Sequence, residues 1–370
     1  MHDAALKRRV FRSHAVRNAD AGVFLERFLV AGVTAVLALR AYLTATGYPK
    51  IGGNGLHIAH MLWGGIAMLI AIIVLLSFLG SRAQFAAAIL GGAGFGLFID
   101  EVGKFVTTDN NYFFQPATAM IYVIFMLLFL TFRLIERRQV LSEQGYLVNA
   151  VEVLKDALAS NLDEDKRDRA LLLLQQSDQQ DPVVRALEAA LHQVQPAPDP
   201  APRRLTVLAR RARDLYYRIV RERWFSRLLV LFFVVYAAGA TFTFVGDIVS
   251  SNGLAAGGVR HTTADWGDFL ASMLADVLII AGTIQLLRRR HAPLSAYHWF
   301  RRAVLVSLFI GQVFTFYLVQ LEAVIWVAVD LVALGALDYM IAQEQVRAAP
   351  VAGESARLAP SDVVTSLQSS

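Results

Sequence analysis

The sequence contains no cysteine, and this absence excludes disulfides, thiolate metal ligands and cysteine nucleophiles. Charge is also scarce, because charged residues make up 18% of the chain against about 25% in soluble globular proteins. No HExxH pair and no phosphate-binding glycine loop occurs, so these metalloprotease and nucleotide-binding classes find no support. The basic N-terminus, residues 1–22, lacks an apolar stretch followed by a small-residue cleavage site, so it is not predicted to be a cleavable signal peptide.

Apolar residues, in contrast, make up 56% of the chain and arrive in blocks of spanning length. About 20 apolar residues in a helix cross a hydrocarbon core of roughly 30 Å. The blocks predict an all-α polytopic membrane protein with about eight transmembrane helices in two four-helix halves, joined by a small helical cytoplasmic insert. The predicted spans are 23–44, 57–79, 84–105, 113–133, 226–246, 266–287, 301–318 and 321–342.

The composition also predicts the domain boundaries. These are a cytoplasmic N-terminal segment (1–22), a first membrane half (23–133), a cytoplasmic insert (134–225), a second membrane half (226–345) and a disordered cytoplasmic tail (346–370).

Lysine and arginine concentrate at one set of span ends, for example Arg82, Arg133 and the run 203–227, while the opposite loops hold few. The positive-inside rule therefore predicts that both termini are cytoplasmic and that the loops 45–56, 106–112, 247–265 and 319–321 lie outside. The net charge of +5 is explained by this topology, so the bilayer is the predicted partner and nucleic acid is not. The oligomeric state is not indicated.

The insert carries local helix-start signals. Asp163 is a predicted N-cap, and Asp181 followed by Pro182 is a predicted N-cap and first helical residue. After a proline-rich linker, residues 203–227 form a predicted basic amphipathic helix that binds anionic lipid headgroups. The insert is interpreted either as a regulatory or docking module or as a simple helical cap between the two halves.

The two halves also share a pattern. "LFIDEVGKF" (97–105) aligns with "LFIGQVFTF" (308–316), and "LERFLVAG" (25–32) aligns with "FSRLLVLF" (225–232). A parallel internal repeat is one explanation, and chance similarity of apolar segments is the other. The alignment sets Asp100 and Glu101 opposite Gly311 and Gln312, so an acidic site there belongs to the first half alone.

Polar residues near the predicted outer face mark a candidate binding pocket. His57 and His60 share one helix face, and Asp100 lies about 7 Å below the end of the next span, since a helix rises 1.5 Å per residue. Ionisable groups at such depth are expensive and survive by pairing or by binding something. The glycines of "GGAGFG" (91–96) are expected to let this span approach a neighbour closely. The predicted pocket consists of His57, His60, Asp100, Glu101, Lys104 and Asp109.

Three interpretations of this pocket stay open. It is an internal ion-pair cluster with no further role, an entrance for ions or protons, or a metal site. In the metal-site interpretation, a divalent metal such as zinc would be bound by His57, His60, Asp100 and Glu101. Such a metal is the one possible cofactor that the sequence indicates. The protein would then be a metal-dependent membrane hydrolase. As an entrance, the path would continue through Asp276, Asp330 and Asp338, with Arg40 as a counter-ion or a headgroup contact.

Binding or transport of a small ion or molecule through an outward-facing polar pocket is the favoured function. The metal-dependent hydrolase and a structural or partner-binding role are the alternatives. Whether the chain is an enzyme is left open.

The run "NGLHIAHMLWGG" (54–65), "GLFIDEVGKF" (96–105) and "DNNYFF" (109–114) resembles a family of bacterial polytopic integral membrane proteins common among actinobacteria. The resemblance covers the first half of the chain. It implies a multi-pass location in a bacterial plasma membrane and implies nothing about a substrate.

Overall fold

The computed structural model describes residues 16–47, 59–137, 141–159, 163–194, 204–222, 262–288 and 294–348, with six isolated positions between 225 and 239. The described ranges are helical and contain no β-strand. The chain divides into two units, one ending at Arg203 and the other beginning at Arg204. The three helices of the insert thus belong to the first unit and its basic helix to the second. The predicted domain boundaries themselves stay a prediction.

The first unit combines membrane helices with the insert. The membrane helices follow the predicted spans closely, except that the third is interrupted after Ile99. Its helices are α1 (Ala21–Thr46), α2 (His60–Ser77), α3 (Ser81–Ile99), α4 (Val102–Val106), α5 (Ala117–Arg137), α6 (Glu143–Ala159), α7 (Glu164–Gln175) and α8 (Pro182–Gln193).

Glycines set the spacing of α1, α2 and α3. A Cβ atom on Gly64 of α2 would lie 2.5 Å from the carbonyl oxygen of Gly94 in α3. On the other side of α3, Cβ atoms on Gly92 and Gly96 would overlap the backbone of α1 at Phe28 and Gly32. The expected close approach of this glycine-rich span is confirmed, and it involves both neighbours.

The insert folds around its own apolar core. Asp163 caps α7 by accepting a hydrogen bond from the Lys166 amide, and Asp181 caps α8 through the Val183 amide. Both predicted N-caps are confirmed. The three helices bury one cluster of apolar side chains, Ala150, Ala170, Leu174, Val184 and Leu191.

The second unit begins with the basic helix, which the structure gives as Arg204–Arg221. Its helices are α9 (Arg204–Arg221), α10 (Thr263–Arg288), α11 (Leu294–Val306), α12 (Gln312–Val319) and α13 (Ala323–Ala348), with a π-helical turn at Ser307–Gly311 and a 3₁₀ turn at Gln320–Glu322.

The segment after residue 294 folds back at Gln320. Arg301 contacts Asp338, and Gln312 contacts Asp330, so α11 and α12 run antiparallel to α13 about this turn. Gln320 has φ 52°, an uncommon backbone conformation for a residue with a side chain. The predicted loop at 319–321 is confirmed.

Six segments of the described residues are long and apolar enough to cross a membrane, which is compatible with an integral membrane protein. The predicted fifth span, 226–246, lies almost wholly outside the described residues. The predicted seventh and eighth spans both fall within the single segment Leu294–Gln345. The count of eight and the two four-helix halves therefore stay a prediction, as does the disorder of the tail, which lies outside the described residues beyond 348.

Candidate functional site

The acidic pair of the first unit lies at a break in the helix. The sequence predicts one continuous span over 84–105, but α3 ends at Ile99 and α4 begins at Val102. This part of the span prediction is wrong. Local propensity favours a helix through Asp100 and Glu101, and the tertiary contacts of the two carboxylates override it.

Asp100 is the centre of a buried hydrogen-bond network. Its side chain has no exposed surface. The Nε of Arg40 on α1 donates to Oδ1 at 2.5 Å, and the hydroxyl of Tyr112 donates to Oδ2 at 2.6 Å. Nε2 of His60 lies 3.2 Å from the same Oδ2. Three separate parts of the chain thus converge on one carboxylate.

Glu101, whose side chain is 1% exposed, is held in a similar way. Nζ of Lys104 donates to Oε1 at 2.5 Å, and the backbone amide of Met61 donates to Oε2 at 3.3 Å. Met61 is the second residue of α2. The N-cap residue of this helix, Ala59, makes no side-chain hydrogen bond to the first amides. Glu101 therefore caps α2 from the break between α3 and α4 and places a negative charge at the positive end of the α2 dipole.

His60 links the two carboxylates. Its Nε2 faces Asp100, while its Nδ1 lies 3.5 Å from Oε1 of Glu101. The imidazole is 20% exposed, so it is more accessible than either acid. We call His60, Asp100, Glu101, Lys104, Arg40 and Tyr112 the Asp100 cluster. With a neutral imidazole its two cations and two carboxylates balance, which is how ionisable groups persist at the edge of a membrane span.

The loop after α4 brings Tyr112 back to the Asp100 cluster. The Thr107 hydroxyl donates to the carbonyl of Gly103 and accepts from the Asn111 amide at 2.7 Å. A Cβ atom on Gly103 would lie 2.9 Å from the carbonyl oxygen of Asn111, so only glycine lets the loop return this closely. The Tyr112 ring also lies between two cations, with Arg40 at 5.7 Å and Lys104 at 5.5 Å.

Four of the six predicted pocket residues lie together in the structure. These are His60, Asp100, Glu101 and Lys104. His57 lies outside the described residues. Asp109 is exposed on the loop and makes none of the contacts that join the described members of the cluster.

The sequence missed two partners of Asp100. Arg40 was expected to pair with the acids of the other half or with headgroups, and Tyr112 was not among the predicted pocket residues. The matching predicted depth of Arg40 and Asp100 was the signal available for the first. Nη2 of Arg40 is buried with no hydrogen-bond partner among the described residues, which leaves its two N–H groups to satisfy.

The predicted metal site gains no support in the described ranges. No three of their His, Asp and Glu side chains are arranged to hold a metal ion. The two nitrogens of His60 face different carboxylates, and a metal ion on one nitrogen cannot reach the acid at the other. Zinc and the hydrolase stay a prediction, since His57 lies outside the described residues.

A second polar site lies inside the second unit. A cavity of about 140 Å³ is lined by Asp268 and Asp276 of α10 and by Asp330 of α13. Among the described lining residues there is no lysine, arginine or histidine. We call this the acid-lined cavity. Its remaining lining is hydroxyl and amide groups (Ser272, Ser307, Thr315 and Gln312), small and aliphatic side chains, and the aromatic residues Phe232 and Trp326.

The π-helical turn builds one wall of this cavity. Ser307 and Gln312 flank it, and both donate to Oδ2 of Asp330, at 2.9 and 2.8 Å. Residues five apart in an α-helix point about 140° away from each other, whereas the i→i+5 spacing of a π turn brings them to one face. Gln312 is 3% exposed, and its Oε1 is buried without a hydrogen-bond partner in the described part of the chain.

Two of the three predicted conduit residues, Asp276 and Asp330, thus line a common cavity. Asp338 does not line it. Its side chain is half exposed and accepts a hydrogen bond from Nε of Arg301 at 2.6 Å. A path through all three aspartates therefore stays a prediction, since Asp338 lies outside this cavity. Asp268, which sequence analysis passed over, takes the third position and accepts a hydrogen bond from the Thr315 hydroxyl.

No family model, curated protein or solved structure matches the chain. The resemblance to a bacterial membrane family therefore stays a prediction, and the functional argument depends on the two sites themselves.

Proposed function

We propose that the protein binds a small cation within the membrane and transports it. The observation that carries this proposal is the acid-lined cavity, which is lined by three aspartates and by Gln312, whose buried Oε1 has no hydrogen-bond partner among the described residues.

The energetic argument concerns the carboxylates. One charged aspartate at the centre of a membrane helix costs at least about 2.5–3.5 kcal/mol on insertion scales. Three of them share a cavity whose described lining contains no basic residue. A bound cation, or bound protons, offsets this cost. The Oε1 of Gln312 also favours a bound cation or a proton donor. An amide oxygen accepts hydrogen bonds or binds a cation but cannot donate.

The acceptor atoms of the described lining are carboxylate, hydroxyl and amide oxygens, with no histidine or methionine, and this favours a hard cation. Since no three of the described acids are arranged to hold one metal ion, a divalent centre with three carboxylates is not favoured. One or two carboxylates with amide and hydroxyl oxygens suit a monovalent cation or protons. The volume of about 140 Å³ also leaves room for several waters around the ion.

The Asp100 cluster has a separate part in this proposal. It would form the inner wall of the outward-facing polar pocket, together with His57 and Asp109. Its charges are already paired, so it would not hold a cation permanently. His60, partly exposed and in contact with both acids, would be the part of this wall that faces the pocket.

Asp330→Asn tests the proposal in proteoliposomes that contain a fluorescent pH indicator. Gradients of Na⁺, K⁺ or H⁺ are imposed, and the rate of internal pH change is measured with and without an ionophore that clamps the membrane potential. A contact between a carboxylate and a charged group contributes about 1.5–3 kcal/mol. We therefore expect cation-dependent flux to fall tenfold or more, while the neutral amide keeps the side-chain volume.

Asp338→Asn is the matched control. It lies two helical turns further along α13, carries the same change and lies outside the cavity, so flux should stay near the wild-type value. Equal flux in wild type and Asp330→Asn, or equal losses in both variants, would contradict the proposal. Unchanged helicity and elution volume in detergent establish that both variants are folded.

A further inference from the structure

A second cavity, in the first unit, is basic. It has a volume of about 420 Å³ and lies where the beginning of α1 and the beginning of α3 meet the insert helices α6 and α7. This volume falls within the usual range of small-molecule sites, about 300–1,000 Å³. We call it the basic cavity. Its lining residues are Asp20, Val23, Phe24, Arg27, Ser81, Arg82, Phe85, Val153, Lys166 and Arg169.

Four cations line it and one carboxylate opposes them. Arg169 pairs with Asp20, and Lys166 pairs with Asp163 at 2.9 Å. Arg27 lies over the ring of Phe85 at 4.5 Å, a contact that orients the guanidinium without neutralising it. Arg82 makes no ion pair with a described residue. The cavity therefore keeps positive charge in excess after its internal pairs are counted.

The start of α3 adds to this field. The helix begins at Ser81, which lines the cavity, and its N-cap residue, Gly80, supplies no side-chain hydrogen bond. The first amides of a helix carry a partial positive charge and point outward along the axis. A helix N-terminus among arginines is a favourable place for a phosphate group.

Apolar surface lies beside the cations. Val23 is 43% exposed and Phe85 is 41% exposed, and both are on membrane helices. Arg27 and Arg82 stand at the span ends that the distribution of positive charge assigns to the cytoplasm. A ligand with a phosphate and an acyl chain would thus meet cations at one end and apolar side chains at the other.

We propose that the basic cavity binds a phosphate-bearing anion, with the headgroup of an anionic phospholipid as the favoured source and a soluble phosphate ester as the other. The phosphate would contact Arg27 and Arg82, with Lys166 and Arg169 of the insert helix α7 beside it. Since α7 belongs to the insert and α1 and α3 to the membrane, the ligand would bridge the insert to the bilayer. This inference is independent of cation transport, because it concerns other residues in the other unit.

The test measures binding to the purified full-length protein in detergent by native mass spectrometry. The probes are dioctanoyl phosphatidic acid, dioctanoyl phosphatidylcholine and glycerol 3-phosphate. We expect the anionic lipid to bind at least tenfold more tightly than the zwitterionic one. Arg82→Gln and Arg27→Gln should each weaken it about tenfold, which corresponds to the loss of one charge-assisted hydrogen bond, and Arg82→Lys should recover part of the loss.

Arg133→Gln is the matched control, because Arg133 is an exposed arginine at the end of α5 that pairs with Glu136 and does not line the cavity. It should leave the affinity unchanged. Displacement of the lipid by glycerol 3-phosphate would assign the site to soluble phosphate esters, and failure to displace it would assign the site to lipid. Equal affinity for the two lipids, or an equal loss in Arg133→Gln, would overturn the proposal. If Arg27→Gln does not fold, Arg82→Gln alone decides.

Discussion

Gly64→Ala should separate α2 from α3 and disturb the Asp100 cluster. The added Cβ atom would lie 2.5 Å from the carbonyl oxygen of Gly94, and ordinary contact begins at 3.4 Å, so the helices must move apart by about 0.9 Å (3.4 − 2.5). The His60–Asp100 contact is 3.2 Å and the Met61–Glu101 contact is 3.3 Å. A shift of this size carries both beyond hydrogen-bond distance.

The expected energy follows from three contributions. Overpacking costs about 1–3 kcal/mol, and the loss of two hydrogen bonds to charged groups costs about 3–6 kcal/mol. Alanine recovers about 1 kcal/mol of helix propensity. The free energy of unfolding should therefore fall by about 3–8 kcal/mol.

Gly65→Ala, one residue further along the same helix, is the control. A Cβ atom there meets nothing within 4 Å, so the change should leave stability unchanged or raise it by up to about 1 kcal/mol. The assay is equilibrium unfolding of the purified protein in mixed micelles, followed by helicity. If the two variants were equally stable, the close contact of α2 with α3 would be refuted.

Three further predictions concern other parts of the chain. Asp100→Asn should destabilise the protein by about 3–5 kcal/mol, since it leaves the guanidinium of Arg40 buried and uncompensated. The double variant Asp100→Asn with Arg40→Gln should lose less stability than the sum of the two single losses. A double-mutant cycle in the same micelles measures this difference. Asp163→Ala should cost α7 about 0.5–2 kcal/mol of local stability, measured as faster hydrogen exchange at its first-turn amides. Burial tends to raise the pKa of Asp163, but the side-chain and backbone hydrogen bonds and the charge of Lys166 lower it overall. A lowered folded-state pKa means that this stabilisation is present at neutral pH and is lost as pH falls through that pKa, and Asp163→Asn should abolish the acid-dependent part of the exchange. Gln320→Gly should stabilise the turn by about 1–2 kcal/mol, because glycine adopts φ 52° without strain, and a lower stability in the unfolding assay would contradict this assignment.

Local signals in the sequence predicted local structure well. Asp163 and Asp181 were identifiable as caps because a cap depends on the residues within one helical turn of it. The spans were identifiable from runs of apolar residues alone. The role of the glycines was also predictable in kind, although not the pairing of Gly64 with Gly94, which depends on how the helices rotate about their axes.

The sites required tertiary information. The residues around Asp100 give no local signal of a helix break. The break follows from contacts with Arg40 and His60, two residues that are distant from Asp100 in the sequence. The π turn likewise has no local signature, and without it Ser307 and Gln312 would not be assigned to one face. The acids of the membrane helices are visible in the sequence, but which of them share a cavity depends on how the helices pack.

The cap that Glu101 provides for α2 has a consequence for how the chain is made. Met61 and Glu101 are 40 residues apart, so the first amides of α2 are synthesised before the carboxylate that caps them. They gain this cap only when α3 has been synthesised and has returned alongside α2. The open, polar end of this hairpin is therefore completed after the turn that joins its two helices.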